Sequence, residues 1–478
     1  MISQNQFIIY ILLIIALFNC INAQSDDYYI GAVVEYSPVY KYNFSQDAVS
    51  YMMENVKQYS IHTETAKKEG AQIIVFPEYG IIGTFFNDTR DGIYEYLEYI
   101  PNVNSSSTIF LPCTDDNFND RPILKTLSCV ALENDIYMSV NMGDVQNCTV
   151  GVDSGCTDGR FQYNTQVIFN RQGQVIAKYH KSHLFYEPYF DEPSQPDPVT
   201  FTTDFNVTFG VMICFDILFQ EPQSTIFKNG SIRNLIYSSE WVNENFIYAR
   251  QIQMSWSYIN NNNIMAANSG SSGLVSGSGI YSSGKVLNST VNGGYQPKTK
   301  LLISHIPKIP PTIYTPSPPV SGSSDSNEVT LPYINSTNLQ FIISPGKNET
   351  YEVSQDGFNC KFNYVSHHES FEPTVYQLSS FSGSFNLLSG QICLVTACTG
   401  NITNAFCDSP IFQNNNVILD FTELTGWNFE SNVNIYPMIT AQPVVSLSSY
   451  DISTAINRVE TNRPIKGFIG SSLFGVEW

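Results

Sequence analysis

The sequence predicts a two-part chain: a layered α/β domain over residues 28–305, then a mostly β domain over residues 328–478. Three observations carry this. Near the start an apolar strand, a helical period and a second apolar strand follow one another, the βαβ order of a layered sheet. At Ile306 the composition shifts to Ile-Pro-Lys-Ile-Pro-Pro-Thr-Ile-Tyr-Thr-Pro-Ser-Pro-Pro and then Val-Ser-Gly-Ser-Ser-Asp-Ser-Asn, an extended connection over residues 306–327. Beyond it come short apolar runs, many turn residues and few helical periods. At 478 residues the chain also exceeds what a single core usually organises.

Tyr28 to Val34 is rich in β-branched and aromatic residues and reads as the first strand. Asp47 to Glu69 reads as a helix, because Ala48, Tyr51, Met52, Val56, Tyr59 and Ala66 share one face and Gly70 is a stop signal. Asn55 and Thr63 interrupt that stripe, and Ile61 lies off it. Ala71 to Phe76 is the second strand and ends in Pro77-Glu-Tyr-Gly80. The alternation continues with a helix at Leu127–Leu132 and strands at Ile136–Met142, Thr165–Asn170, Val175–Tyr179 and the apolar run ending at Cys214. A strand at Asn234–Tyr237, a helix at Ala249–Tyr258 and strands at Ile264–Asn268 and Ile280–Tyr281 complete the first domain. Gly270 to Gly279 lacks the lysine of a phosphate-binding loop and reads as a turn-rich approach to a strand. In the second half, Phe341–Ile343, Gly390–Val395, Asn416–Phe421 and Val433–Tyr436 are candidate strands.

Phe7 to Phe18 is almost wholly apolar, and Ala23 precedes polar Gln-Ser-Asp-Asp, so residues 1–23 read as a secretory signal peptide. No later segment reaches the ~20 apolar residues of a spanning helix, and the last residues lack the apolar tail of a lipid-anchor signal. The expectation is a soluble secreted protein without a membrane anchor. Asn43, Asn87, Asn104, Asn147, Asn206, Asn229, Asn288, Asn335, Asn348 and Asn401 each open an Asn-x-Ser/Thr sequon, which fits export and glycosylation. A net charge of −20 argues against nucleic acid or anionic lipid as partner. Once Cys20 leaves with the signal, Cys214 is left over from two groups of four cysteines, one before residue 160 and one after residue 355. Secreted chains oxidise thiols in pairs, so pairing within each group leaves Cys214 free. Sequence does not fix the connectivity or the oligomeric state.

Glu78, Lys181 and Cys214 each stand just past an apolar run, and in open α/β sheets ligands gather at the carboxyl ends of strands. Each alone has a bland reading: a solvated loop carboxylate, a surface lysine, a small core residue. Together they make an acyl-transfer set. The thiol needs a base, and a carboxylate in a dry site has its pKa raised toward that role. The oxyanion formed on attack needs an ammonium and an amide N–H, here that of Phe215. The absence of a cysteine-protease motif leaves His180 and His183 to structural roles.

The segments FPEYG (76–80), YHKSHLF (179–185), VTFGVMICFDILFQEP (207–222), Trp241 and GSGIY (277–281) resemble those of the nitrilase (carbon–nitrogen hydrolase) superfamily, and among its branches the vanin and biotinidase family. The resemblance implies a nitrilase-like α-β-β-α sandwich over residues 28–305, with the C-terminal part as accessory β domain. It implies Glu78 as general base and acid, Lys181 as oxyanion stabiliser and Cys214 as nucleophile. Glu187 stands as the second active-site glutamate, and Trp241 as a pocket residue. No metal or organic cofactor is implied. The substrate would be a small-molecule amide, either pantetheine, cleaved to pantothenate and cysteamine, or biocytin. A non-catalytic secreted glycoprotein on the same scaffold is the reading from a different class.

Overall fold

The computed structural model describes residues 27–39, 47–84, 88–103, 109–243, 248–272, 274–292, 296–311, 336–367, 371–385, 387–398, 417–429, 433–441, 458–461, 465–466 and 468–477. The expected signal segment, most of the connection 306–327, Cys407 and the sequons at Asn43, Asn87, Asn104, Asn335 and Asn401 lie outside them.

In the first domain the strands are β1 (Tyr28–Glu35), β2 (Ile73–Val75), β3 (Leu97–Glu98), β4 (Tyr137–Asn147), β5 (Arg160–Phe169), β6 (Val175–His180), β7 (Thr200–Thr202), β8 (Thr208–Ile213), β9 (Asn234–Ser239), β10 (Asn263–Asn268), β11 (Ser278–Ser282), β12 (Lys285–Thr290) and β13 (Lys300–Pro307). The main helices are α1 (Ala48–Lys68), α2 (Pro122–Glu133) and α3 (Ala249–Ile259). Among the described residues one sheet runs β13-β1-β2-β4-β5-β6, with β3 beside β4, and a second runs β12-β11-β10-β9-β8-β7. β1, β2 and β4 are parallel, as are β8, β9 and β10.

The period of two along each strand builds the layers. Val33, Ile73 and Val75 point into a core shared with Val211, Ile213, Leu235, Met265 and Ala267 of the second sheet. Ala32, Val34, Ile74 and Phe76 point the other way, onto Tyr51, Met52, Val56 and Tyr59 of α1 and Leu124 and Leu127 of α2. α3 covers the outer face of the second sheet through Ile252 and Trp256. The order is helix, sheet, sheet, helix.

The polar interruptions of α1 are buried and partnered. Asn55 Oδ1 accepts from Tyr36 Oη (2.7 Å) and Val39 N (2.9 Å), and its Nδ2 donates to the Ile81 carbonyl at 3.0 Å. Thr63 Oγ1 donates back to the Tyr59 carbonyl at 2.8 Å. Asp47 caps the helix by accepting from Ser50 N.

β13 runs two residues past the expected domain boundary at 305, since Ile306 and Pro307 still pair with Tyr29 and Tyr28. The second half is antiparallel β throughout the described residues. One sheet is ordered β14 (Thr337–Ile343), β17 (Thr374–Phe385), β18 (Leu388–Ala397), β24 (Phe468–Glu477), β21 (Val433–Ala441). The other is β15 (Asn348–Gln355), β16 (Phe358–Val365), β20 (Phe421–Trp427), β22 (Arg458–Thr461), and β19 (Ile418–Leu419) pairs with β23 (Ile465–Lys466). Phe358, Cys360, Phe362 and Tyr364 alternate inward from β16, and the Cys360–Cys393 disulfide joins the two larger sheets. The strand expected over Asn416–Phe421 is broken: Asp420 separates β19 from β20, its amide bonding the Val365 carbonyl.

Cys113–Cys129 and Cys148–Cys156 are disulfides, Cys398 is disulfide-bonded, and Cys214 is the free cysteine among the described residues. No helix among the described residues is long and apolar enough to cross a membrane. Asn147, Asn206, Asn229 and Asn348 are exposed. Asn288 is half-buried on β12, with its Nδ2 already donating to the Ile303 carbonyl at 3.0 Å.

Candidate active site

Three chain reversals at strand ends converge. β2 delivers Glu78 and β6 delivers Lys181; both side chains are about 2% exposed. β8 ends at Ile213, and Cys214 (7% exposed) opens a short 3-10 turn, Cys214–Leu218. Lys181 Nζ donates to Glu78 Oε1 at 2.8 Å and also bonds Glu187 Oε2. The buried Cys214 thiol is near enough to the Glu78 carboxyl and the Lys181 ammonium for both charges to act on it. The structure therefore brings Glu78, Lys181, Cys214 and Glu187 into one buried group.

Backbone strain marks two of these turns. Cys214 has φ +46° and Tyr79 has φ +57°, the left-handed region that side chains rarely occupy. Surrounding contacts hold both. Tyr237 Oη donates to the Cys214 carbonyl at 2.8 Å, and Tyr79 N donates to Asn141 Oδ1 at 3.0 Å. Gly80 follows because a Cβ there would overlap the Tyr59 hydroxyl.

Asp216 ties the cysteine turn to the lysine loop. Its Oδ2 accepts from Tyr179 Oη (2.8 Å) and Ile213 N (3.1 Å), and its Oδ1 from Ser182 N (3.2 Å) and His183 N (2.9 Å). Burial pushes its pKa up to about 6 against the pull of His183 and Lys181. Ile217, one residue on, gives its carbonyl to Tyr436 Oη of β21 at 2.8 Å, so the second half of the chain touches the same turn.

Asn164 and Glu240, unmarked in the sequence reading, complete the shell around the carboxylates. Asn164 Nδ2 bridges Glu78 Oε1 (2.7 Å) and Glu187 Oε1 (2.8 Å), while its Oδ1 accepts from Asn141 Nδ2 at 2.7 Å. Glu240 N donates to Glu78 Oε2 at 2.8 Å. Glu187 accepts further from Tyr79 Oη (2.7 Å) and Phe185 N (3.0 Å). The signal that could have found Asn164 is its strand position: β5 puts its carbonyl on Lys181 N at 2.8 Å.

The electrostatics follow from the packing. Burial would lower the Lys181 pKa, but the Glu187 and Glu78 carboxylates hold it well above its ordinary value. Burial would raise Glu187, but Lys181 holds it below. Burial and then the charge of Glu78 push the Cys214 thiol well up, against Lys181. An ammonium has three N–H groups, and among the described residues two are engaged here, which leaves one. Phe215 lies in the first turn after Cys214, where helix amides have no intrahelical acceptor.

The remaining expected residues divide. Trp241 is buried beside the group, its amide donating to Asn268 Oδ1 at 2.7 Å and its carbonyl accepting from Asn268 Nδ2 at 3.3 Å. His180 bonds Asp144 Oδ2 (2.8 Å) and stacks on Tyr163. His183 bonds the Glu221 carbonyl (2.9 Å) and stacks on Phe219.

The carbon–nitrogen hydrolase family profile matches residues 32–255, and that of the vanin C-terminal domain matches residues 329–475. Biotinidase of Takifugu rubripes is 31% identical over 408 residues, which cover 79% of this chain and 80% of the relative. Pantetheinase of Sus scrofa is 33% identical over 408 residues, 80% of this chain and 76% of the relative. Pantetheinase of Homo sapiens is 32% identical over 422 residues, 83% and 79%. Among solved structures, an amidase from Nesterenkonia sp. is 16% identical with a TM-score of 0.41, over 59% of this chain and 92% of its own, too remote to inform the site.

Proposed function

Because this chain belongs to the vanin and biotinidase family of carbon–nitrogen hydrolases and is an amide hydrolase, we propose that Cys214, Glu78 and Lys181 are its nucleophile, general base and oxyanion-stabilising cation, and that its substrate is pantetheine. The observation that carries the assignment of residues is the buried Lys181 ammonium shared between Glu78 and Glu187, with the buried Cys214 thiol in the field of both Glu78 and Lys181.

Glu78 takes the proton from Cys214 Sγ as the sulfur attacks the amide carbonyl carbon. The developing oxyanion meets the spare N–H of Lys181 and the amide of Phe215. As the C–N bond breaks, Glu78 returns the proton to the departing amine, and the acyl group remains on sulfur as a thioester. A water then gives a proton to Glu78 and attacks the thioester. The acid leaves and the proton goes back to the thiolate. Glu187 keeps Lys181 charged and shares its pull, so Glu78 does not face the ammonium alone. Trp241 lines the pocket.

Secretion and glycosylation belong to the same proposal. They are supported by the apolar start of the sequence, the exposed sequons at Asn147, Asn206, Asn229 and Asn348, and the disulfides. The test is an assay of the secreted protein on pantetheine and biocytin side by side, with Cys214→Ala and Glu78→Gln as controls. Hydrolysis of pantetheine by the wild type, lost in both variants, is expected. Hydrolysis of biocytin alone replaces the substrate, and full activity in either variant removes the mechanism.

A further inference from the structure

Glu240 is the acid that the mechanism above leaves without a task. It follows β9, whose last residues fix it in place. Ser238 Oγ donates to the Phe76 carbonyl at 2.7 Å, and Ser239 Oγ to Asn268 Oδ1 at 3.2 Å. The Glu240 amide then donates to Glu78 Oε2 at 2.8 Å, so its side chain leaves the backbone beside the carboxylate assigned as the base. Among the described residues the half-buried carboxyl has no hydrogen bond or ion pair of its own. A half-buried carboxyl beside the Glu78–Lys181–Glu187 group, with no partner among the described residues, has its hydrogen-bonding capacity open to a bound molecule.

We propose that the Glu240 carboxyl donates a hydrogen bond to a carbonyl or hydroxyl oxygen of the bound amide substrate. This rests on the amide-hydrolase reading.

The charges around Glu240 supply the reason for the neutral form. Facing it are Glu78 after β2, Glu187 and Lys181 after β6, and Tyr51 of α1. Two carboxylates and one ammonium already leave the group with an excess negative charge. Burial first, then Glu78 and Glu187, push Glu240 up to about 8, with only Lys181 opposing. At neutral pH the carboxyl is a donor. Above that it becomes a further anion beside the base and the sulfur, and it loses the proton it donates. Lys181 and the Cys214 thiol are held well above their ordinary values, Glu187 below its own, and Tyr51 is pushed up to about 12.

The experiment is the pH profile of kcat/KM for wild type, Glu240→Gln and Glu240→Ala, on pantetheine or, if that is the amide turned over, on biocytin. Wild-type kcat/KM is expected to fall on an alkaline limb near pH 8. Glu240→Gln, which keeps the donor and cannot ionise, is expected to lose that limb and keep its KM at pH 6.5. Glu240→Ala is expected to lose the limb and raise KM about tenfold, the loss of one hydrogen bond. A wild-type profile flat through pH 9 overturns the proposal, and needs no variant. So does a limb that persists unchanged in Glu240→Gln, although activity at neutral pH then keeps the amide-hydrolase reading intact. Turnover of neither amide by the wild type sinks that reading and this one together.

Discussion

Replacing Asn164 with leucine tests whether the carboxylate pair is held by the bridge described above. Leucine has nearly the shape of asparagine but no donor or acceptor. It removes the bonds to Glu78 Oε1 (2.7 Å) and Glu187 Oε1 (2.8 Å) and leaves Asn141 Nδ2 with only the Thr165 carbonyl at 3.3 Å. A hydrogen bond to a charged group contributes about 1.5–3 kcal/mol. Both carboxylates keep Lys181, Glu78 keeps the Glu240 amide, and Glu187 keeps Tyr79 and Phe185. The two losses are therefore less than additive, about 2–4 kcal/mol in all. If half of that orients Glu78 in the transition state, kcat falls roughly 5- to 30-fold. KM should hold within about threefold, because Asn164 is a positioning residue and touches no substrate. The assay is steady-state amine release by the secreted variant, with its thermal unfolding measured alongside. Unchanged kcat, or a loss confined to KM, would refute the bridge as the element that orients the base.

Alkylation of Cys214 by iodoacetamide should be slow at neutral pH and still rising at pH 9, because burial and Glu78 favour the protonated thiol and so reduce the thiolate. A rate that levels off below pH 8 would mean the thiolate is preformed. Asp216→Asn should destabilise the fold by about 1–3 kcal/mol in denaturant titrations, because an amide turns its own N–H toward one pair of the four donors that meet the carboxyl. Unchanged stability would show that the turn after Cys214 is fixed by other contacts.

The strand ends carrying Glu78, Lys181 and Cys214 were legible because apolar runs of five or six residues mark buried strands whatever their partners. α1 was legible as well, although Asn55 and Thr63 looked like flaws in its stripe. They prove to be buried bonds to Tyr36, Ile81 and Tyr59. Asn164, Asn141 and Glu240 left no mark because their roles depend on register. The pairing of β4 with β5 sets Asn141 opposite Gln166 and Asn164 opposite Gly143, and one residue of slip would move both side chains to the other face. In the second half, β15 (NETYEVSQ) alternates exposed and half-buried side chains, and β24 (FIGSSLFGVE) carries two glycines and two serines. Neither pattern resembles an apolar run, so tertiary pairing and not local propensity makes them strands.

The proposed mechanism passes through a covalent thioester on Cys214. Acid-quenching the enzyme during turnover of its amide substrate, followed by peptide mass analysis, measures that bond directly. One acyl group is expected on the peptide containing Cys214, absent in Cys214→Ala. Turnover that continues in Cys214→Ala, or an acyl group found on any other residue, would contradict it.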